Sequence, residues 1–127
     1  MATTVMPVVL IVDDQPSVRK ALRHYFEDSH LAECVEAVNG LDAVEQVRQR
    51  KPDLIVLDFS MPVMNGLEAA RVINQIDPEI PLLMLTAHLM VATELWARDS
   101  GVAAIFSKYN VAPLIQCAKT LLYQQQR

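Results

Sequence analysis

Five times along this chain a short apolar run gives way to a helical pattern, and that alternation restricts the possible folds more than any other feature. Val8-Val9-Leu10-Ile11-Val12 is continuous, rich in β-branched residues and followed at once by Asp13 and Asp14. It is too short for a helix and reads as a strand buried on both faces. Val18, Ala21, Leu22, Tyr25 and Phe26 then recur at helical spacing from a start near Pro16. A strand is expected around Cys34 to Val38. Asn39-Gly40 opens a second helix, with Asn39 as N-cap, Asp42 three residues on, and Ala43, Val44 and Val47 as its apolar face. That helix stops before Lys51-Pro52.

Leu54-Ile55-Val56-Leu57 is the third strand and ends in Asp58. After a loop from Phe59 to Asn65, a helix carries Gly66, Ala69, Ala70, Ile73 and Ile76 on one face. The fourth strand, Leu82 to Leu85, ends at Thr86. A helix around Met90 to Asp99 stops at Gly101. The fifth strand, Ala103 to Phe106, ends beside Lys108, and Leu114, Ile115, Ala118, Leu121 and Leu122 mark the final helix. Strict alternation of this kind implies an α/β fold: a small doubly wound, five-stranded parallel sheet with right-handed crossovers and helices on both faces. Such sheets bind ligands beyond the carboxyl ends of their strands. Asp13, Asp14, Asp58, Thr86 and Lys108 all fall there.

Bulk properties narrow the class. At 127 residues, with 52% hydrophobic and 20% charged residues, the chain is expected to be one globular domain from residue 1 to residue 127. A net charge of −4 argues against nucleic acid as a direct partner. No apolar stretch is long enough to span a bilayer, and Met1 to Pro7 lacks the positive start of a signal peptide. Cys34 and Cys117, on predicted strand and helix faces, read as buried, reduced thiols, so a cytoplasmic location is expected.

The five strand-end residues define a chemistry together. Three carboxylates brought within a few ångströms repel, by about 4 kcal/mol per pair at 4 Å and an effective dielectric near 20. Either one is protonated or a divalent cation binds. Oxygen-only ligation favours Mg²⁺, or Mn²⁺, over zinc, because no His or Cys lies at these ends. Lys108 adds a second positive point for an anion, and Thr86 a hydroxyl donor. Carboxylate, cation, lysine and hydroxyl are the components of phosphoryl transfer to an aspartate. Each residue alone has a plainer use: turn and cap chemistry for Asp13-Asp14, loop initiation for Asp58, a helix cap for Thr86, a solvated surface for Lys108. Their arrival at one edge favours the shared role.

Val12-Asp13-Asp14, Leu57-Asp58 with Met61-Pro62 and Gly66, Thr86-Ala87 and Lys108, in this order and spacing, resemble the receiver domains of two-component response regulators over essentially the whole chain. The resemblance implies a flavodoxin-like (βα)5 fold, phosphorylated on Asp58 by a sensor histidine kinase, a phosphotransfer protein or a small phosphodonor. It implies Mg²⁺ held by Asp14 and Asp58 directly, Asp13 through water, and the backbone carbonyl of Ser60. Thr86 would be the switch hydroxyl and Lys108 the lysine pairing with the phosphoryl group. The signal would emerge on the surface of the fourth helix, fifth strand and last helix, which also offers a homodimer contact. No output domain is expected within the chain, nor any enzymatic activity beyond its own phosphorylation and dephosphorylation.

Three departures stand out. Where the family usually carries Tyr or Phe, three residues before the lysine, this chain has Ile105, with Phe106 next door. Tyr109 stands where proline commonly follows the lysine, so a trans bond is expected. Gly101-Val102-Ala103-Ala104 lacks the acid typical of regulators with winged-helix outputs, which with Asn65 to Arg71 looks closer to the helix-turn-helix branch. Ser60 and His88 flank the site two residues beyond Asp58 and Thr86; His88 either modulates phosphate lifetime or is an exposed loop histidine. Trp96 is either an exposed anchor for a partner or packed on its own sheet. The rival readings are a Mg²⁺-dependent phosphohydrolase, which usually has a second acid where Ser60 stands, and a degenerate receiver that only binds proteins.

Overall fold

The computed structural model of the chain describes residues 5–88 and 97–125. Five strands, β1 (Val8–Val12), β2 (Glu33–Ala37), β3 (Leu54–Asp58), β4 (Leu82–Thr86) and β5 (Ala104–Ser107), form one parallel sheet in the order β2-β1-β3-β4-β5. Helices α1 (Pro16–Asp28), α2 (Gly40–Gln49), α3 (Gly66–Ile76) and the C-terminal helix (Ala112–Gln125) connect and follow them. Residues 97–99 are helical. The rest of the helix expected from Met90, Trp96 included, lies outside the described residues.

Period-two alternation explains why both faces of the sheet are apolar. From β1, β3 and β4, Val9, Ile11, Leu54, Val56, Leu83 and Leu85 point one way, onto Leu22 and Phe26 of α1 and Leu114, Ala118 and Leu122 of the C-terminal helix. Leu10, Val12, Ile55, Leu57, Leu82 and Met84 point the other way, onto Val44 and Val47 of α2, Ala69, Ala70 and Ile73 of α3, and Ala97. Met61 joins this second layer and Met64 packs against it, which makes both methionines packing residues. Each fully buried aliphatic side chain contributes roughly 1.5–3 kcal/mol.

The helix starts follow their local chemistry. Pro16 opens α1, whose N-cap Gln15 makes no side-chain bond. Asn39 caps α2 by accepting from the Asp42 N–H at 2.8 Å, while Asp42 accepts from the Val38 N–H. Asn65 and Glu68 form a reciprocal capping box on α3. Three residues of the expected apolar faces, Ala21, Tyr25 and Ile76, are exposed. Ala21 and Tyr25 sit together at one margin of the α1 stripe, whose buried centre is Leu22 and Phe26, and Ile76 is the last residue of its helix.

Cys34 is buried in β2 and Cys117 is half-buried, and neither is in a disulfide. Burial first, then the negative charge of Glu27, pushes the Cys34 thiol up to about 12. A thiol held this far above the ordinary range carries almost no thiolate at pH 8. Native protein is therefore expected to leave Cys34 unlabelled by a disulfide-exchange reagent at pH 8, with labelling appearing only as urea unfolds the chain. Labelling of Cys34 at the rate of a free thiol in the native state would contradict this burial.

Candidate functional site

Strand order reverses at β1: the chain runs from β1 outward to β2 and returns to place β3 on the other side. The crevice opens there, at the carboxyl ends of β1 and β3. Asp13 and Asp14 follow β1, and Asp58 ends β3. Parallel register brings the other ends alongside, with Asp58 opposite Leu85 and Thr86 opposite Ser107. The Phe59 N–H donates to the Leu85 carbonyl and the Lys108 N–H to the Thr86 carbonyl. The structure thus brings all five strand-end residues to one edge.

Their surroundings differ. Asp13, Asp58 and Thr86 are buried, Lys108 is half-buried, and Asp14, Ser60 and His88 are exposed. A carboxylate oxygen from each of Asp13, Asp14 and Asp58 lies within 4.8 Å of the other two. The Lys108 ammonium bridges the buried pair, 3.1 Å from Asp13 Oδ2 and 3.2 Å from Asp58 Oδ1. Asp13 Oδ1 accepts from the Gln15 N–H at 2.9 Å, whereas Asp13 Oδ2, fully buried, has the ion pair but no well-directed hydrogen bond. The Ser60 N–H reaches Asp58 Oδ1 at 3.4 Å.

One lysine is too little charge for three acids. Burial and then the charge of Asp13 push the Asp58 carboxyl above its ordinary range, outweighing the pull of Lys108 and the Ser60 N–H. Burial alone would lower the Lys108 ammonium, but Asp13 and Asp58 more than reverse this and hold it raised. A buried carboxylate oxygen without a directed donor, beside two further carboxylates, is the donor set of a hard divalent cation. The residues therefore fit Mg²⁺ or Mn²⁺, with Asp14 on the exposed side of the cluster.

Thr86 is engaged locally. Its hydroxyl accepts from the His88 N–H at 3.2 Å and lies 3.3 Å from the His88 carbonyl, a short turn of the capping type. Gly66 has a steric duty, because a Cβ there would lie 2.2 Å from the Asp58 carbonyl oxygen. Only glycine lets α3 begin so close to the end of β3. Ile105 and Phe106 point to opposite faces, Ile105 toward the α2–α3 layer and Phe106 toward the layer of α1 and the C-terminal helix. The neighbouring aromatic therefore cannot stand in for the missing one. The Lys108–Tyr109 bond is trans, as expected. Arg19, which the sequence reading does not single out, donates to the Asp13 carbonyl at 2.8 Å and pairs with Glu36. Its only sequence signal is a cation on α1 facing an acid on β2.

The receiver domain model of response regulators matches residues 9–118. Over 103 residues the chain is 46% identical to a protein-glutamate methylesterase/protein-glutamine glutaminase of Hahella chejuensis; the match covers 79% of this chain and 29% of that protein. It is 38% identical over 93 residues to the chemotaxis protein CheY of Thermotoga maritima, covering 73% and 78% of the two chains. Among solved structures, a LuxR-family two-component response regulator of Aurantimonas superposes with a TM-score of 0.86 at 30% identity, over 94% of this chain and 87% of that one. The chain spans less than a third of the methylesterase relatives it matches. Among the described residues no helix is long and apolar enough to cross a membrane.

The raised Asp58 carboxyl has a consequence for stability. A group raised in the folded state favours its neutral form there, so stability is lost as pH rises from the ordinary carboxylate value through the raised folded one and stays lost above it. Asp58→Asn removes the charge and is expected to raise the melting temperature of metal-free protein at pH 7. The gain should vanish as pH falls below the ordinary carboxylate range, where Asp58 is neutral in both states. Melting curves from pH 3 to 8 in EDTA check this, and a lower melting temperature for Asp58→Asn at pH 7 would contradict it.

Proposed function

This chain belongs to the response regulator receiver domain family, and on that footing we propose that Asp58 accepts a phosphoryl group in a reaction that depends on Mg²⁺ or Mn²⁺. The observation that carries the reading is the Lys108 ammonium held between Asp13 and Asp58, with Asp14 completing the acidic cluster. Asp13, Asp14, Asp58 and the Ser60 carbonyl would hold the cation. When bound, it neutralises charge on the carboxylates and on the incoming phosphoryl group.

The protein's own groups do the rest. An Asp58 oxygen attacks phosphorus, and the bond from phosphorus to the donor's leaving atom breaks with its electron pair staying on the donor. The product is an acyl phosphate on Asp58. Lys108, already 3.2 Å from Asp58 Oδ1, can follow the negative charge onto the phosphoryl oxygens. The Thr86 hydroxyl can exchange its long contact to the His88 carbonyl for a phosphoryl oxygen, drawing in the segment that follows β4. With Ile105 in place of a rotating aromatic, this Thr86–His88 turn carries more of the signal to the surface around β5 and the C-terminal helix.

The donor on this reading is a sensor histidine kinase or phosphotransfer protein in the cytoplasm, and the switched surface controls a partner, a second copy or an output domain. The matched relatives are named for different outputs, a methylesterase in one and a transcriptional activator in another. Their receiver region is what this chain shares with them, and residues 1–127 are read as that one domain. No activity on an external substrate is assigned.

Incubation with acetyl phosphate, followed by intact-mass measurement, tests the reading. Wild type is expected to gain one phosphoryl group only with Mg²⁺ or Mn²⁺ present, and Asp58→Asn to gain none. An adduct of equal yield in EDTA, or on Asp58→Asn, would overturn it.

A further inference from the structure

Asp14 presents a particular problem. Its carboxylate is exposed, and among the described residues no hydrogen bond or ion pair holds it. Asp13, by contrast, is held by the Gln15 N–H and by Lys108. The direction of the Asp14 side chain is therefore governed by the peptide that joins it to Asp13. Both peptides that flank Asp13 are tied to the edge strand of the sheet, the second of them through Arg19. The Asp13 N–H donates to the Ala37 carbonyl at the end of β2. On the other side of the residue, the Asp13 carbonyl accepts from Arg19 Nη1 at 2.8 Å, and Arg19 Nε is fixed by Glu36 Oε1, also of β2, at 2.8 Å.

We propose that Arg19 is a positioning residue for the cation site, clamping the Asp13–Asp14 peptide between α1 and β2 so that Asp14 meets the cation already aimed. The inference rests on the reading that Asp13, Asp14 and Asp58 hold a divalent cation. The guanidinium suits the task because its rigid fork donates in two directions at once, to a carbonyl and to a carboxylate, and never loses its charge. A lysine has one nitrogen and cannot hold the same two acceptors in a fixed plane. The Arg19 side chain is 13% exposed, so both bonds are sheltered from competing water.

The neighbouring Arg23 supplies the control. It pairs with the other oxygen of Glu36 and donates to the Cys34 carbonyl at 2.7 Å, but it does not touch Asp13. Arg23 thus shares the network that braces α1 on β2 and lacks the link to the site. A merely structural role for Arg19 would make the two arginines equivalent.

Mg²⁺ dissociation constants, measured by titration calorimetry well below each variant's melting temperature, separate these possibilities. Groups that orient metal ligands typically account for 10–100-fold in affinity, so Arg19→Gln is expected to weaken Mg²⁺ binding about tenfold or more. Arg19→Lys should weaken it severalfold, and Arg23→Gln should lower the melting temperature while staying within about twofold of wild type. Arg19→Gln within twofold of wild type, or Arg23→Gln weakened as much as Arg19→Gln, would overturn the proposal. If Arg19→Gln does not fold, the comparison of Arg19→Lys with Arg23→Gln decides in the same way. Wild type that binds no Mg²⁺, or Asp14→Asn that binds it as tightly as wild type, would instead refute the cation reading itself, and the role of Arg19 with it.

Discussion

Three carboxylates gathered at the point where the strand order reverses, with one lysine between two of them, impose the constraint on which the rest of the structure depends. The arrangement is unfavourable for the resting protein. Two of the acids are buried, the Asp58 carboxyl is pushed up by burial and by Asp13, and one oxygen of Asp13 lacks a directed donor. Such a cost persists only where the surrounding fold over-determines it. Here the parallel sheet does so: the ends of β1, β3, β4 and β5 are locked side by side by ladder hydrogen bonds, and apolar layers cover both faces. The site is an excess of negative charge held in place by a packed core, the condition under which, on the proposed reading, added positive charge and a phosphoryl group would bind selectively.

On the proposed reading, the same geometry constrains how a signal would leave the site. Side chains on a strand alternate strictly, so the loss of an aromatic at position 105 is not repaired by Phe106, which serves the opposite layer. Thr86 remains, buried at the end of β4, with its hydroxyl tied into the turn at His88. A signal transmitted through a hydroxyl and a backbone turn needs less side-chain volume change than one that swings an aromatic ring. It therefore fits a core in which Ile105 is already packed against its layer.

Most of the fold was legible in the sequence because two periodicities dominate it. The continuous apolar runs of β1, β3 and β4 identify strands buried on both faces, and Asn39, Asn65 and Pro16 mark the helix starts where they are found. Asp13, Asp14, Asp58, Thr86 and Lys108 could be grouped because topology alone sends strand ends to one edge. What the sequence did not reveal depends on contacts between distant residues. Arg19 looks like one more helix cation until Glu36 and the Asp13 carbonyl are seen beside it. The exposure of Tyr25 follows from where α1 lies on the sheet, which helical spacing does not encode. The opposed facing of Ile105 and Phe106 was implicit in strand periodicity, yet which layer each serves required the packing.

The most direct test of the account is the position of the acyl phosphate. Borohydride reduces an acyl phosphate to an alcohol, so protein treated with acetyl phosphate and Mg²⁺, reduced and digested, would carry homoserine in place of the phosphorylated aspartate. Peptide mass spectrometry is expected to find homoserine at position 58 and at no other acid. Homoserine at Asp13 or Asp14, or an unmodified residue 58 in protein shown to be phosphorylated, would contradict the account.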